Sequence, residues 1–418
     1  MAWFDSRTLF LSVSLFCLPA LVVCAVLCLP LVIFFIVTLY FIAWTMYLLY
    51  AQRDVEFNLP YNPARVLKVN VIVFSHVLSW ITDTPMIISY LYWRYWQIGT
   101  DKFRRIVSRN VVYSNASNQC LMDIYHPDIK NNNRKRPVII FIYGGSWASG
   151  QKLLYTSMAN TLRELGYVVI VPDYRKYPTV KNVDTMYEDV RQAIKWTFHH
   201  ANDIGADEDM IYVMGHSAGA HLASQVVLFD LVEKAKHASL SAKKKLDGDS
   251  IVDISRRKDF LPQIEGLLLF AGVYDIESHY EHETMRGVEK ISAMGRVMGS
   301  TVDNFRKQSP FHLVKSHSDL FADSEDLLDF APRILFVHGE KDLTVPMEQS
   351  TTMYNMLGEV LPPAKRDEVD VRVRLYKKMD HAHCVTALMP SIFGVDRMQK
   401  PLIRDIVEFL DVPPLDGH

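Results

Sequence analysis

Gly215-His216-Ser217-Ala218-Gly219 lies between two runs of different character. Before it, Met210-Ile211-Tyr212-Val213-Met214 reads as a buried strand. After it, Ala220-His221-Leu222-Ala223-Ser224-Gln225-Val226-Val227-Leu228 reads as a helix. A sharp turn from strand to helix lifts a serine hydroxyl clear of a sheet edge. The small residues around Ser217 permit close backbone approach. The helix N-terminus aims free N–H groups at whatever reacts there. Small residues around a serine are common, so the five residues alone also fit a tight βα turn in a non-catalytic domain. Their flanking elements make Ser217 a candidate nucleophile.

Outward from that turn, apolar strand-like runs alternate with helical stretches. The runs are 137–143, 168–174, 210–214, 266–271, 333–338 and 371–376; the helical stretches include 153–165, 182–200 and 347–358. Unbroken apolar strands alternating with helices imply a mainly parallel sheet covered on both faces, hence an α/β fold. Residues 106–114 and 119–126 alternate apolar and polar side chains around a polar turn and predict an opening hairpin. Two stretches interrupt the alternation. Residues 230–262 are charge-rich and read as a solvated insertion. Residues 276–332 are too long for a loop, carry helical patterning, and are expected to cap the site.

A reactive serine needs a base, and the base needs an orienting carboxylate. In a strand–turn–helix context of this kind they follow in the order Ser, Asp, His. Asp342 stands in Val337-His338-Gly339-Glu340-Lys341-Asp342, just after a predicted strand. His381 stands in Met379-Asp380-His381-Ala382-His383, just after the last one. Asp275 competes for the acid and His383 for the base. His216 is expected to line the pocket. A tetrahedral intermediate also needs donors for its oxyanion. Tyr143-Gly144-Gly145-Ser146-Trp147 follows the first parallel strand. It offers the Gly145 and Ser146 N–H groups, with Gly144 giving the turn its freedom and Ala218 N–H as a third donor.

Composition bounds the remainder. The chain has 418 residues, 49% of them hydrophobic, and a net charge of −2, so no basic field points to nucleic acid. Cys17, Cys24, Cys28, Cys120 and Cys384 have neither disulfide-framework nor zinc spacing. No metal and no cofactor is expected. Apolar residues concentrate near the N-terminus: residues 8–52 contain no Asp, Glu, Lys or Arg. One membrane crossing needs about 20 such residues. The expectation is a transmembrane segment over 1–55, with two passes and a turn near Pro30. The run is too long for a signal peptide and no small-x-small site closes it. Residues 56–100 would link or lie at the interface, since 69–96 are rich in Trp and Tyr. The catalytic domain is expected over 101–418. Arg53, Arg65 and Lys68 after the apolar block, against Arg7 before it, favour a cytosolic C-terminal side.

Together, Gly-Gly-x-Trp at 144–147, Asp173-Tyr174-Arg175, Gly-x-Ser-Ala-Gly-Ala-His at 215–221, Ser309-Pro310 and His-Gly-x-x-Asp at 338–342 resemble the isoprenylcysteine alpha-carbonyl methylesterases. These are membrane-anchored α/β-hydrolases related to kynurenine formamidase and the hormone-sensitive-lipase group. The resemblance spans about 106–410. It departs from the usual histidine before Gly-Gly, where this chain has Tyr143. It implies a Ser217–Asp342–His381 triad, with substrate contacts at 144–146 and 216–218. It also implies hydrolysis of the carboxyl methyl ester of a prenylated cysteine, a lipid bilayer as partner through the N-terminal segment, and residence in the endoplasmic reticulum or Golgi membrane. Competing readings are a general membrane-tethered carboxylesterase of arylacetamide-deacetylase or formamidase type, and a hydrolase-fold binding protein without catalysis.

Overall fold

The computed structural model describes residues 6–51, 58–127, 135–246, 260–323, 327, 330–363, 369–390 and 396–410. In chain order the elements begin with helices α1 (Ser6–Tyr50), α2 (Pro63–Tyr92) and α3 (Gly99–Ile106). Strands β1 (Val107–Val112), β2 (Leu121–Tyr125) and β3 (Arg136–Ile142) follow. Then come α4 (Thr156–Glu164), β4 (Val168–Pro172), α5 (Asp184–His199), β5 (Ala206–His216), α6 (Ala218–Leu246) and β6 (Gly266–Phe270). A helical stretch contains α7 (Ile276–Arg286), α8 (Met294–Val297), α9 (Val302–Lys307), α10 (Pro310–Ser316) and α11 (Ser318–Asp323). The chain closes with β7 (Arg333–Gly339), α12 (Glu348–Val360), β8 (Val371–Tyr376), α13 (His383–Thr386) and α14 (Gln399–Leu410). It divides into two compact units, 1–80 with 284–292, and 81–283 with 293–418.

The larger unit holds one eight-stranded sheet in the order β1-β2-β4-β3-β5-β6-β7-β8. The predicted hairpin is β1 and β2, paired antiparallel, and β2 also runs antiparallel to β4. From β4 through β3, β5, β6 and β7 to β8 every pairing is parallel. Every residue of β3, β4 and β6 is buried, as strands covered by helices on both faces must be. All parallel strands therefore end on the same edge, where loops collect side chains from distant parts of the sequence.

The expected solvated insertion is corrected in its first part. Helix α6 runs on to Leu246, and Leu231, Val232, Ala235 and Ala238 are buried. Asp230 is buried too, because Arg191 (3.0 Å) and Lys234 (3.1 Å) neutralise it; these charges hold a helix down. Arg256-Arg257-Lys258 lie outside the described residues.

The aromatic stretch before residue 100 divides by residue. A wide turn at Trp93–Gln97, closed by Ile98 N–H on Trp93 O (2.9 Å), buries Trp93 edge-on against Phe103. Tyr95 and Trp96 stay exposed. Trp93 belongs to the core that continues through Phe103, Ile106 and Tyr125, so the expected domain start at 101 falls inside this packing.

In the smaller unit, α1 is one unbroken helix. The expected turn near Pro30 is not formed. An interior proline removes one backbone hydrogen bond, whereas opening the helix among apolar side chains would leave several carbonyls and amides without partners. Val26–Tyr50 is long and apolar enough to cross a membrane. Its side chains, Phe34, Phe35 and Phe41 among them, are largely exposed. Helix α2 starts at Asn62, whose Oδ1 accepts from Ala64 N (2.9 Å), with Pro63 at the first helical position. It packs back on α1 through Ala43, Tyr47, Val66 and Val69, and Asn70 Nδ2 donates to Leu39 O (2.9 Å). The segment 284–292 completes this unit: Ile291 packs on the same cluster, Arg65 pairs with the buried Glu289, and Lys68 Nζ donates to Met285 O (2.6 Å).

Trp93→Ala is expected to destabilise the larger unit by about 3–5 kcal/mol, the usual range for a large buried aromatic. Urea unfolding followed by far-UV circular dichroism measures it; an unchanged midpoint would mean that Trp93 contributes no core packing.

Candidate active site

Three loops at the carboxyl edge of the sheet meet. Strand β5 delivers Ser217 into a turn with φ +55°, a left-handed backbone that a residue with a side chain adopts only under constraint. Ser217 N–H donates to Phe270 O at the end of β6 (2.9 Å), and the first turn of α6 donates to Ser217 O from Ala220 N (3.0 Å) and His221 N (3.1 Å). Gly219 shows how tight the approach is, since a Cβ there would lie 2.1 Å from Ile142 O.

Strand β7 delivers Asp342 and β8 delivers His381. His381 Nδ1 donates to Asp342 Oδ2 at 2.7 Å, and His381 Nε2 lies 2.9 Å from Ser217 Oγ. A carboxylate only accepts, so Nδ1 carries the proton and Nε2 presents its lone pair to the hydroxyl. The other Asp342 oxygen accepts from Thr344 N (2.9 Å) and Val345 N (2.8 Å). Burial pushes the Asp342 pKa up, but the hydrogen bonds of His338, His381 and Val345 more than offset it and hold the carboxyl well below its usual range. Asp342 is thus ionised at every physiological pH.

The competing residues are occupied elsewhere. Asp275 Oδ1 accepts from Ser278 N at the start of α7 (3.3 Å) and faces His312 (3.6 Å). His383 Nε2 pairs with Asp396 (2.8 Å). His216 underlies the base: its Nε2 donates to His381 O (2.9 Å), with the two rings 4.9 Å apart. Burial, then the neighbouring His381, lowers its pKa to about 3, so it stays neutral.

The residues Gly144, Gly145, Ser146 and Trp147 form a turn with three positive φ angles in succession, +137° at Gly145, +49° at Ser146 and +58° at Trp147. A Cβ at Gly145 would meet Ser149 O at 2.4 Å. Gly144 packs directly on Ser217, whose Cβ would be 2.7 Å from a methyl placed there. Among the described residues, the backbone N–H groups of Gly145, Ser146 and Ala218 donate to no backbone acceptor. They are available to an incoming oxygen.

Three supports were not singled out as site residues in the sequence. His338, fully buried, donates from Nε2 to Val345 O (2.9 Å), lies 3.3 Å from Asp342 Oδ2, and accepts from Ser350 Oγ at Nδ1 (2.7 Å). Its place at the end of β7, four residues before Asp342, is the available sequence signal. Trp147 Nε1 donates to His221 Nδ1 (3.2 Å). Tyr143, just before the Gly-Gly pair, donates to Asp173 Oδ1 (2.7 Å) and accepts from Lys176 Nζ (2.7 Å). The Asp-Tyr-Arg motif is therefore a brace: Tyr174 OH reaches Tyr143 O (2.9 Å) and Arg175 pairs with Asp189 (2.6 Å). Ser309 is another, accepting from Ile276 N (2.9 Å) and donating to Phe305 O (2.6 Å). The expected cap segment is helical, and its His282 donates to Leu343 O (3.2 Å), beside the acid. A cavity of about 940 Å³ opens separately between α5, α6 and α10, lined by Tyr187, Gln225, Phe229 and Leu313 but by none of Ser217, Asp342 and His381.

Known proteins resemble the chain in sequence and in fold. An isoprenylcysteine alpha-carbonyl methylesterase of Arabidopsis thaliana is 29% identical over 258 residues, 62% of this chain and 54% of that protein. Esterase LipQ of Mycobacterium tuberculosis is 29% identical over 247 residues, 58% of this chain and 50% of that protein. The chain spans about half the length of the curated relatives it matches. Esterase B of Lactobacillus rhamnosis superposes with a TM-score of 0.55 at 18% identity, covering 83% of this chain and 96% of that one. That likeness shows the expected α/β-hydrolase fold. The BD-FAE family model matches residues 122–357, more than half of the chain and inclusive of the Ser217 turn and Asp342: the chain belongs to the BD-FAE family.

Proposed function

We propose that this chain is a membrane-anchored serine hydrolase of carboxylic esters. Its proposed substrate is the carboxyl methyl ester of a farnesylated or geranylgeranylated cysteine. The observation that carries the reading is the continuous hydrogen-bond chain Ser217–His381–Asp342, 2.9 Å and 2.7 Å long. In the proposed reaction Ser217 Oγ attacks the ester carbonyl while His381 Nε2 takes its proton. Asp342, ionised, stabilises the imidazolium so formed. The developing oxyanion is received by the N–H groups of Gly145, Ser146 and Ala218. His381 returns the proton to the departing methoxide oxygen, and methanol leaves. Water, deprotonated by His381, then attacks the acyl-enzyme, and the free carboxylate departs as Ser217 regains its proton.

The substrate class rests on the likeness to the Arabidopsis methylesterase and on physical fit. A prenyl group partitions into a bilayer by about 0.8 kcal/mol per buried CH₂. An enzyme tethered by α1 meets such a substrate at raised local concentration. The basic residues after the apolar helix support a cytosolic catalytic side; an endoplasmic reticulum or Golgi membrane is proposed from the methylesterase resemblance alone. The likeness to LipQ supports a second reading, a carboxylesterase of broader range. Methanol release from a farnesylcysteine methyl ester, compared with hydrolysis of short acyl esters, separates the two.

Ser217→Ala is expected to lower ester hydrolysis by several orders of magnitude and to abolish labelling by a fluorophosphonate, with an unchanged thermal midpoint. Labelling retained in the variant would place the nucleophile elsewhere. His381→Ala is expected to inactivate comparably, whereas His383→Ala, removing only the pair with Asp396, should leave turnover within about tenfold.

Removal of residues 1–51 is expected to spare hydrolysis of a short soluble ester while slowing that of a farnesylated ester presented in vesicles, by loss of local concentration. Equal slowing of both would show that the anchor serves the fold rather than delivery.

The neutral, buried histidines also set an acid limit. His216 and His221 are lowered by burial from 6.5 to about 3 and about 4. Their contribution to stability is complete above the unfolded value near 6.5 and is lost as pH falls towards the folded values, because only the unfolded chain takes up those protons. Each group adds a slope of about 1.4 kcal/mol per pH unit in that window. Urea titrations between pH 6 and 4.5 should show a shallower pH dependence for His216→Gln than for the parent; an identical slope would mean that His216 titrates normally in the folded protein.

A further inference from the structure

The turn carrying the candidate oxyanion donors is locally unfavourable. Ser146 and Trp147 both have side chains and both adopt left-handed backbone, at a cost of the order of 1–3 kcal/mol each. Something must hold them. Backbone hydrogen bonds do part of it: Ala148 N and Ser149 N donate to Gly145 O (3.0 and 2.9 Å), and Tyr177 N donates to Trp147 O (3.0 Å). The Trp147 side chain does the rest. It is 2% exposed, and its indole meets the His221 ring edge-on, at 5.4 Å and 81°.

That meeting is chemically specific. An indole N–H only donates, so the Trp147 bond of 3.2 Å requires a lone pair on His221 Nδ1. His221 must then carry its proton on Nε2, which faces Gln308 O at 2.7 Å, with Tyr187 OH at 3.4 Å. A carbonyl only accepts, so the two partners impose the same tautomer. His221 is wholly buried. It stands four residues after Ser217 in the first turn of α6, with its own N–H on Ser217 O (3.1 Å). One imidazole thus ties three things together: the nucleophile's helix, the strained turn, and the segment between α9 and α10.

We infer that His221 is a positioning residue, which holds the 145–147 turn through Trp147 so that the Gly145 and Ser146 N–H groups stay aimed at the oxyanion. The inference rests on the serine-hydrolase reading above and adds to it the part that keeps the donors in place. His221 touches no reacting atom. Its contribution is made where charge develops in the transition state, so its loss appears in kcat rather than KM.

The two ring nitrogens are separable by substitution. Asn places an acceptor near Nδ1 and nothing at Nε2; Gln places a polar group near Nε2 and nothing at Nδ1. The experiment measures kcat and KM on a short soluble ester for the full chain carrying His221→Asn, His221→Gln, Trp147→Phe or Ser217→Ala, with thermal midpoints for each. His221→Gln and Trp147→Phe are expected to lower kcat by about 10–100-fold, less than the 10²–10³-fold typical for deleting a donor outright, with KM within about twofold. A chain carrying both His221→Gln and Trp147→Phe should lose no more than either single variant, because both break one bond. His221→Asn should keep kcat within about fivefold. Unchanged kcat in His221→Gln, or an equal loss in His221→Asn and His221→Gln, would overturn the proposal while Ser217→Ala remained inactive. An active Ser217→Ala would instead overturn the serine-hydrolase reading itself.

Discussion

A serine at φ +55° is the constraint around which the larger unit is built. The conformation is costly for any residue with a Cβ, and it persists because its surroundings leave no alternative. Behind it, the backbone of β3 comes so close to Gly219 that no side chain fits. Beside it, Phe270 O accepts the Ser217 N–H. Below it, Gly144 fills the space against its Cβ. Three parallel strands, β3, β5 and β6, must be in register before the turn can exist. The reactive geometry is therefore a product of the whole sheet, and the first turn of α6 inherits its direction from it.

The same economy governs the charges. Asp342, buried and ionised, accepts from two backbone amides and the His381 imidazole, with His338 Nε2 at 3.3 Å. Those donors repay the desolvation of its burial. Each surrounding histidine has a carbonyl opposite Nε2, Val345 O for His338, Gln308 O for His221 and His381 O for His216, and burial keeps His216 and His221 neutral. In the proposed reaction, Asp342 with the neutral His216 and His221 nearby leaves a transient imidazolium at His381 unopposed.

Much of this was legible in the sequence, for physical reasons. Strands β3, β4 and β6 and nearly all of β7 are apolar runs because they are buried on both faces, and such runs have few other uses; β8, at the sheet edge, alternates Val and Arg and is only partly buried. Ser217, Asp342 and His381 were legible because each follows a strand in the chain order this chemistry uses, and the structure brings their side chains into hydrogen-bond contact. What escaped was decided by context. Helix α6 looked solvated beyond Asp230 because charge in a sequence does not announce that Arg191, from another helix, will neutralise it. Pro30 looked like a break because its missing N–H is local, while the cost of opening an apolar helix is not. Trp93 was ambiguous because an aromatic suits an interface and a core equally; only its contact with Phe103 separates them. Trp147 and His221 bear on the site through hydrogen bonds between residues remote in sequence, where no spacing rule operates.

The segment 284–292 leaves a trace in time as well as in space. Arg65 and Glu289 are 224 residues apart. At a synthesis rate of about 5–20 residues per second, the α1–α2 pair leaves the ribosome roughly 10–45 seconds before its last partner does. Through that interval Ala43, Tyr47, Val66 and Val69 lack the covering of Ile291, and Arg65 lacks its carboxylate. The α1–α2 pair thus waits for more than half the length of the chain to be made before it is covered, and a protein quality-control system that reads exposed apolar surface has its opportunity there.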